Sequence, residues 1–106
     1  LRDKCILIVD DNPLIVRVLE KILEGCRQII TAFNGQEALD HVTKKMKGGE
    51  EYDLIFMDCL MPVMDGYTAT RTMRQLGYKG PILALTGNSS EADAERAREA
   101  GYNSTV

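Results

Sequence analysis

Three stretches of this chain are continuously apolar and stop abruptly: Cys5–Val9, Leu54–Met57 and Pro81–Leu85. None alternates polar with apolar residues, so each reads as a strand covered on both faces, the mark of a parallel sheet. A shorter run, Ile29–Ala32, reads as a further strand. Parallel neighbours cannot be joined by tight hairpins; a crossover must run between them.

The intervening segments supply those crossovers. Asn12-Pro13 offers an N-cap and a first helical residue, and Leu14, Ile15, Val18, Leu19, Ile22 and Leu23 follow at helical spacing before Gly25. Asn34-Gly35 turns the chain, and Asn34 with Glu37 predicts a capping box for a second helix with Ala38, Leu39 and Val42 inside. Lys44 to Glu51 reads as a solvated helix end and loop. A third helix is predicted over Tyr67–Leu76, closed by Gly77. Ser90 with Asp93 caps a fourth, which ends at Gly101. That last helix carries alanines at 92, 94, 97 and 100, so its apolar area is small and its anchorage weak. Asn103–Val106 begins a fifth strand.

Strand and helix thus alternate with short connections, which predicts one α/β domain with right-handed crossovers and helices on both sheet faces. In the flavodoxin-like order 2-1-3-4-5, the first and third strands are neighbours at the topological switch point. Asp10 and Asp11 follow the first strand directly, Asp58 the third and Thr86 the fourth. All four then converge at the carboxyl edge of the sheet, where such folds bind ligands.

Composition narrows the function classes. At 106 residues the chain is one domain at most, and a net charge of −3 gives no electrostatic footprint for nucleic acid or an anionic membrane. No apolar run reaches the length of a spanning helix, and no signal-peptide pattern opens the chain. The three cysteines, Cys5, Cys26 and Cys59, form neither C-x-x-C nor a zinc spacing, so reduced thiols in a cytoplasmic setting are expected.

Three converging carboxylates repel one another, and a divalent cation is the natural offset. Mg²⁺ takes oxygen ligands and is held by one or two carboxylates together with phosphate oxygens. Such a site recruits a phosphoryl group, and aspartate is a nucleophile for phosphoryl groups. Thr86 offers a hydroxyl to a phosphate oxygen, and Gly87 leaves room for a donor. An aspartate after a strand is, taken singly, more often a cap or a turn former. Acidic or hydroxyl residues after three separate strands favour a metal or phosphate site.

CILIVDD, DLIFMDCLMPVMDG and PILALTG, in this order and spacing, resemble the receiver domain of two-component response regulators and hybrid histidine kinases. The resemblance covers nearly the whole chain, 1–106, and implies a CheY-like fold. It implies that Asp58 is the phosphoacceptor, taking a phosphoryl group from a phosphohistidine on a histidine kinase or histidine phosphotransfer domain. Asp11 matches a direct Mg²⁺ ligand, Asp10 an acidic partner acting through water, and the backbone carbonyl of Leu60 the third protein ligand. Thr86 matches the switch hydroxyl, whose movement would reshape a surface around the fourth helix and fifth strand, read by a downstream effector or phosphotransfer protein. No contact with nucleic acid or membrane is implied for the domain itself, and a cytoplasmic place, within a membrane-bound hybrid kinase or not, is expected.

Two departures stand out. The Lys-Pro pair that receivers carry after the fifth strand would fall just beyond Val106, and the fifth helix is absent, which would leave one sheet face short of cover. The aromatic switch position falls on Thr105, and Tyr102 is out of register for it. Elsewhere, His41 reads as a surface histidine, Cys59 as an inert thiol, the methionines 57, 61, 64 and 73 as packing, and Arg71 and Arg74 as a solvated helix face. Two other functions stay open: an interaction-only pseudo-receiver, and an aspartyl-phosphate phosphohydrolase. The latter class carries an acid/base aspartate two residues after its nucleophile, where this chain has Leu60.

Overall fold

The computed structural model describes residues 2–85 and 90–105. Strands β1 (Cys5–Val9), β2 (Gln28–Ala32), β3 (Leu54–Asp58), β4 (Ile82–Leu85) and β5 (Ser104–Thr105) form one parallel sheet in the order β2-β1-β3-β4-β5. Helices α1 (Pro13–Ile22), α2 (Gly35–Lys47), α3 (Gly66–Gln75) and α4 (Glu91–Ala100) make the crossovers. The expected flavodoxin-like, CheY-like order is the one observed.

Each strand side chain faces its layer by the two-residue period of extended chain. Leu7, Val9, Ile55, Met57, Ile82 and Ala84 point to the larger core, built with Ala38 and Val42 of α2, Ala69 and Met73 of α3, and Ala97 and Ala100 of α4. Ile6, Ile8 and Phe56 point the other way, to a smaller core with Val16 and Leu23. Among the described residues α1 is the helix that faces this second layer, and Leu54, Leu83 and Leu85 there stay partly exposed.

The caps follow the sequence. Asn12 accepts from Leu14 N at 3.0 Å and Asn34 from Glu37 N at 2.9 Å, while Glu37 reaches back to Phe33 N. Lys44, Lys45 and Lys47 lie in the last turn of α2, where they complement the helix dipole. Ser90 accepts from Asp93 N and donates to its carboxylate. Gly101, at φ +115°, closes α4 in the left-handed region that a side chain disfavours, and Tyr102 N reaches the Ala97 carbonyl at 3.0 Å. Helix α4 buries only Ala97 and Ala100, as its composition predicts, though Arg96 also lies 4.2 Å over the Tyr67 ring.

Arg74 corrects the expectation of a solvated α3 face. Its guanidinium donates to the carbonyls of Tyr78 (3.0 Å), Gly80 (2.7 Å) and Gly101 (2.9 and 3.0 Å), and to Asn103 Oδ1 (2.8 Å). The loops after α3 and α4 leave carbonyls without ladder partners, and one planar five-donor group satisfies them together. Partial burial lowers its pKa. Met57 and Met73 are buried, and Met61 and Met64 pack against the larger core, so all four are packing residues.

Candidate functional site

Val9 lies opposite Met57 in the β1–β3 register, so the next residues, Asp10 and Asp58, stand side by side at the carboxyl edge of the sheet. Asp11 follows Asp10 into the turn before α1. One carboxylate oxygen from each of Asp10, Asp11 and Asp58 lies within 4.8 Å of the others. Asp10 is buried, Asp58 partly buried and Asp11 exposed, so the cluster opens to solvent on one side.

Few local donors relieve this charge. Asn12 N donates to Asp10 at 2.9 Å, and Leu60 N reaches Asp58 at a long 3.5 Å. Burial first, and then the charges of Asp10 and Asp11, push the Asp58 carboxyl up to about 6, against its hydrogen bonds from Leu60 and Cys59. Burial likewise raises the pKa of Asp10, helped by Asp11. Among the described residues, the charges acting on Asp58 are thus both negative. Hard, uncompensated oxygen donors at this spacing suit a hard divalent cation, and the donor set fits Mg²⁺.

The backbone beneath Asp58 is fixed by two residues whose part the sequence reading missed. Tyr102, 4% exposed, sends its hydroxyl to the Asp58 carbonyl at 3.4 Å and meets Tyr67 edge to face at 6.0 Å. Gly66 starts α3 so close that a Cβ there would collide with the Asp58 carbonyl and the Tyr102 hydroxyl. Gly66 N donates to the Cys59 carbonyl at 2.9 Å, closing the loop from β3 to α3. A signal for Tyr102 was present: an aromatic directly after a helix-ending glycine is the residue that packs back on the helix in such a cap. Cys59 is buried against these rings, and burial pushes its thiol up, away from the reactive thiolate.

Of the expected site residues, Asp10, Asp11 and Asp58 come together and Leu60 follows in the same loop. Thr86 and Gly87 lie outside the described residues; β4 carries the chain to Leu85, opposite Asp58. His41, half-buried on α2, lines a cleft with Gln28 and Tyr52 away from the carboxylates.

Comparison with known proteins gives one consistent answer. The response regulator receiver domain family matches residues 6–106. The osmosensing histidine protein kinase SLN1 of Saccharomyces cerevisiae is 41% identical over 101 residues, covering 92% of this chain and 8% of that protein. The histidine kinase CKI1 of Arabidopsis thaliana is 39% identical over 113 residues, covering 93% of this chain and 10% of that protein. The chain therefore spans about a tenth of such relatives or less. The crystal structure of the CKI1 receiver domain complexed with Mg²⁺ superposes with a TM-score of 0.89 at 35% identity, over 100% of this chain and 83% of that one. A CheX–CheY–BeF3–Mg²⁺ complex from Borrelia burgdorferi gives a TM-score of 0.86 at 25% identity, over 97% of this chain and 76% of that one. With the strand order, the carboxylate cluster and these matches in agreement, the chain belongs to the response regulator receiver domain family.

Proposed function

We propose that this receiver accepts a phosphoryl group on Asp58 from a phosphohistidine, with Mg²⁺ held by Asp10, Asp11, Asp58 and the Leu60 backbone carbonyl. The observation that carries this reading is the cluster of three carboxylates within 4.8 Å, at the carboxyl edge of the β1–β3 pair. Bound there, the cation would neutralise the cluster and the incoming phosphoryl oxygens. The relative whose receiver was crystallised with Mg²⁺ supports that assignment.

Asp58 has the properties the step needs. Its carboxylate is partly exposed, so a donor reaches it, and a pKa of about 6 leaves it mostly ionised at neutral pH. A carboxylate oxygen attacks phosphorus while the phosphorus–nitrogen bond of the donor imidazole breaks. The nitrogen keeps the bonding pair and takes a proton from water, and the new oxygen–phosphorus bond leaves an aspartyl phosphate. The Tyr102 contact and the Gly66 turn hold the Asp58 backbone still while its side chain reacts.

The output is a change of surface rather than turnover. Thr86 supplies the hydroxyl drawn toward the new phosphate, and α4, which buries only two alanines, shifts with it. The surface of α4 and β5 then meets an effector or a phosphotransfer protein. Relatives that are histidine kinases favour a place within a hybrid kinase, on its cytoplasmic side. None of the helices of the described residues is long and apolar enough to cross a membrane.

The test is intact mass after incubation with Mg²⁺ and a small acyl phosphate, beside Asp58→Asn. A Mg²⁺-dependent phosphate adduct that vanishes in the variant is the expected result. A folded, metal-binding protein that gains no adduct would favour an interaction-only receiver instead.

A further inference from the structure

Strand β2 is an edge of the sheet, paired with β1 on one side only. Gln28 N donates to the Lys4 carbonyl and Asp10 N to the Ala32 carbonyl, so residues 28, 30 and 32 turn their backbone groups toward β1. By the alternation of extended chain, the N–H and C=O of Ile29 and Thr31 face outward, and no strand of the described residues takes them up. Proteins commonly guard such an edge with a lysine or a proline in the strand; QIITA has neither.

A cleft of about 380 Å³ runs beside this edge on the α2 side, within the size range that takes a ligand or several side chains. Half-buried Ile30 and the buried ring of Tyr52 are its apolar lining. The Tyr78 hydroxyl donates to the Tyr52 carbonyl at 3.0 Å and fixes that wall. His41, Lys44 and Lys45 of α2 line the cleft as well, with Glu50 as its one acid. Lys45 Nζ lies 5.0 Å over the Tyr52 ring, which holds its charge at the wall. The cleft is thus net positive in a chain whose net charge is −3. Lysines at a helix end serve the dipole by themselves. The dipole does not account for their meeting an apolar wall and an unpaired strand in one place.

These features select an occupant. An extended segment laid along β2 pairs its backbone with Ile29 and Thr31, and every second side chain drops toward the cleft. Alternate residues of a strand stand about 6.6 Å apart, and His41 and Lys45 about 6 Å apart along α2, so successive carboxylates meet successive donors. Past Gln28 the edge turns acidic at Asp3, Glu51 and Asp53, with Arg27 among them, which limits an acidic segment to the length of β2. A second copy joined edge to edge would bring two lysine pairs together, and that repulsion disfavours self-pairing.

We infer that the β2 edge and its cleft form a docking site for an extended acidic segment of a partner protein, added to the sheet with its carboxylates on His41, Lys44 and Lys45. Lys44 and Lys45 lie in the last turn of α2, away from the carboxyl edge of the sheet, so an occupant leaves the mouth at Asp58 open. The inference does not depend on the phosphoacceptor reading.

The experiment titrates the isotope-labelled chain with a short capped peptide that alternates glutamate and valine, followed by amide shifts and exchange. The Ile29 and Thr31 amides should shift and become protected, while those of β4 stay unchanged. The same peptide with lysine for glutamate should not bind. Lys44→Gln with Lys45→Gln should weaken the glutamate peptide about fivefold, as expected for two exposed charge pairs. Methylating the peptide's backbone nitrogens at every glutamate, or instead at every valine, should abolish binding in one case and spare it in the other, because an added strand pairs along one edge only. That comparison leaves the protein unaltered, so no folding defect can imitate it. No change at Ile29 and Thr31 up to millimolar peptide would overturn the inference, as would equal binding of the lysine peptide. Equal effects of the two methylations would overturn it in favour of a cleft that takes anions by charge alone.

Discussion

The Tyr102 hydroxyl lies 3.4 Å from the backbone carbonyl of Asp58, across 44 residues of sequence. It joins the end of the strand that carries Asp58 to the junction between α4 and β5, the surface proposed to change. Burial raises the pKa of this phenol, so it stays a neutral donor throughout the physiological range.

Tyr102→Phe removes that bond and keeps the ring against Tyr67. The long bond is replaceable at a modest cost, about 1 kcal/mol by urea denaturation. Amide exchange at Cys59 and Leu60 should quicken more than exchange in β1. Equal quickening at Cys59, Leu60 and β1 would mean the tyrosine is only a core ring.

Asp58 makes stability depend on pH in the metal-free protein. Its folded pKa is raised from 3.8 to about 6, so the folded state binds the proton more tightly than the unfolded chain. The stabilisation is complete below about pH 4 and is lost as pH rises through 6, by roughly 2 kcal/mol after screening. Asp58→Asn should therefore match the wild type near pH 4 and exceed it at pH 7. Mg²⁺ should reverse that order at pH 7, with apparent affinity rising as pH climbs through 6. Thermal melts across pH, with and without Mg²⁺, check both statements.

Arg74 ties three pieces of chain together with five hydrogen bonds, four of them to backbone carbonyls. Arg74→Met keeps much of the aliphatic stem and strands those oxygens, at a cost of about 2–4 kcal/mol. Arg74→Lys should recover little, because a point charge cannot match the fork. Chemical denaturation of the two variants measures both, and a lysine variant as stable as wild type would show that charge alone suffices.

The contrast between Arg74 and the aspartates shows what a sequence can disclose. Unbroken apolar runs ending in carboxylates declare the parallel strands, because burial on both faces is written in local side-chain chemistry, and the meeting of the acids follows once the strand order 2-1-3-4-5 is assumed. Asn12, Asn34 and Ser90 cap helices through neighbours two or three residues away, and they too are legible. Arg74 reads as an ordinary polar helix residue, since the carbonyls it satisfies belong to loops whose approach to α3 is set by tertiary packing. Gly66 is needed for the closeness of Asp58 and Tyr102, a distance that no local pattern encodes.

On the proposed function, Leu60 is expected to set the lifetime of the phosphorylated state. It stands two residues past the acceptor, and its side chain is 71% exposed beside the open face of the carboxylates. An attacking water must be held in line with the oxygen–phosphorus bond, and a carboxamide or carboxylate at this position could hold it by a hydrogen bond. Leucine offers no such group. The aspartyl phosphate should therefore persist for minutes or longer once donor is removed, in keeping with a module that passes its phosphoryl group onward. Leu60→Asn should shorten that lifetime by about tenfold, within the range expected for one positioned polar group. The backbone carbonyl proposed to bind Mg²⁺ is retained in that variant, so Mg²⁺ affinity should hardly change. Following acid-stable intact mass after rapid removal of donor measures both proteins. A wild-type phosphate lost within seconds, or an asparagine variant with an unaltered lifetime, would show that water reaches the acceptor by a route Leu60 does not control.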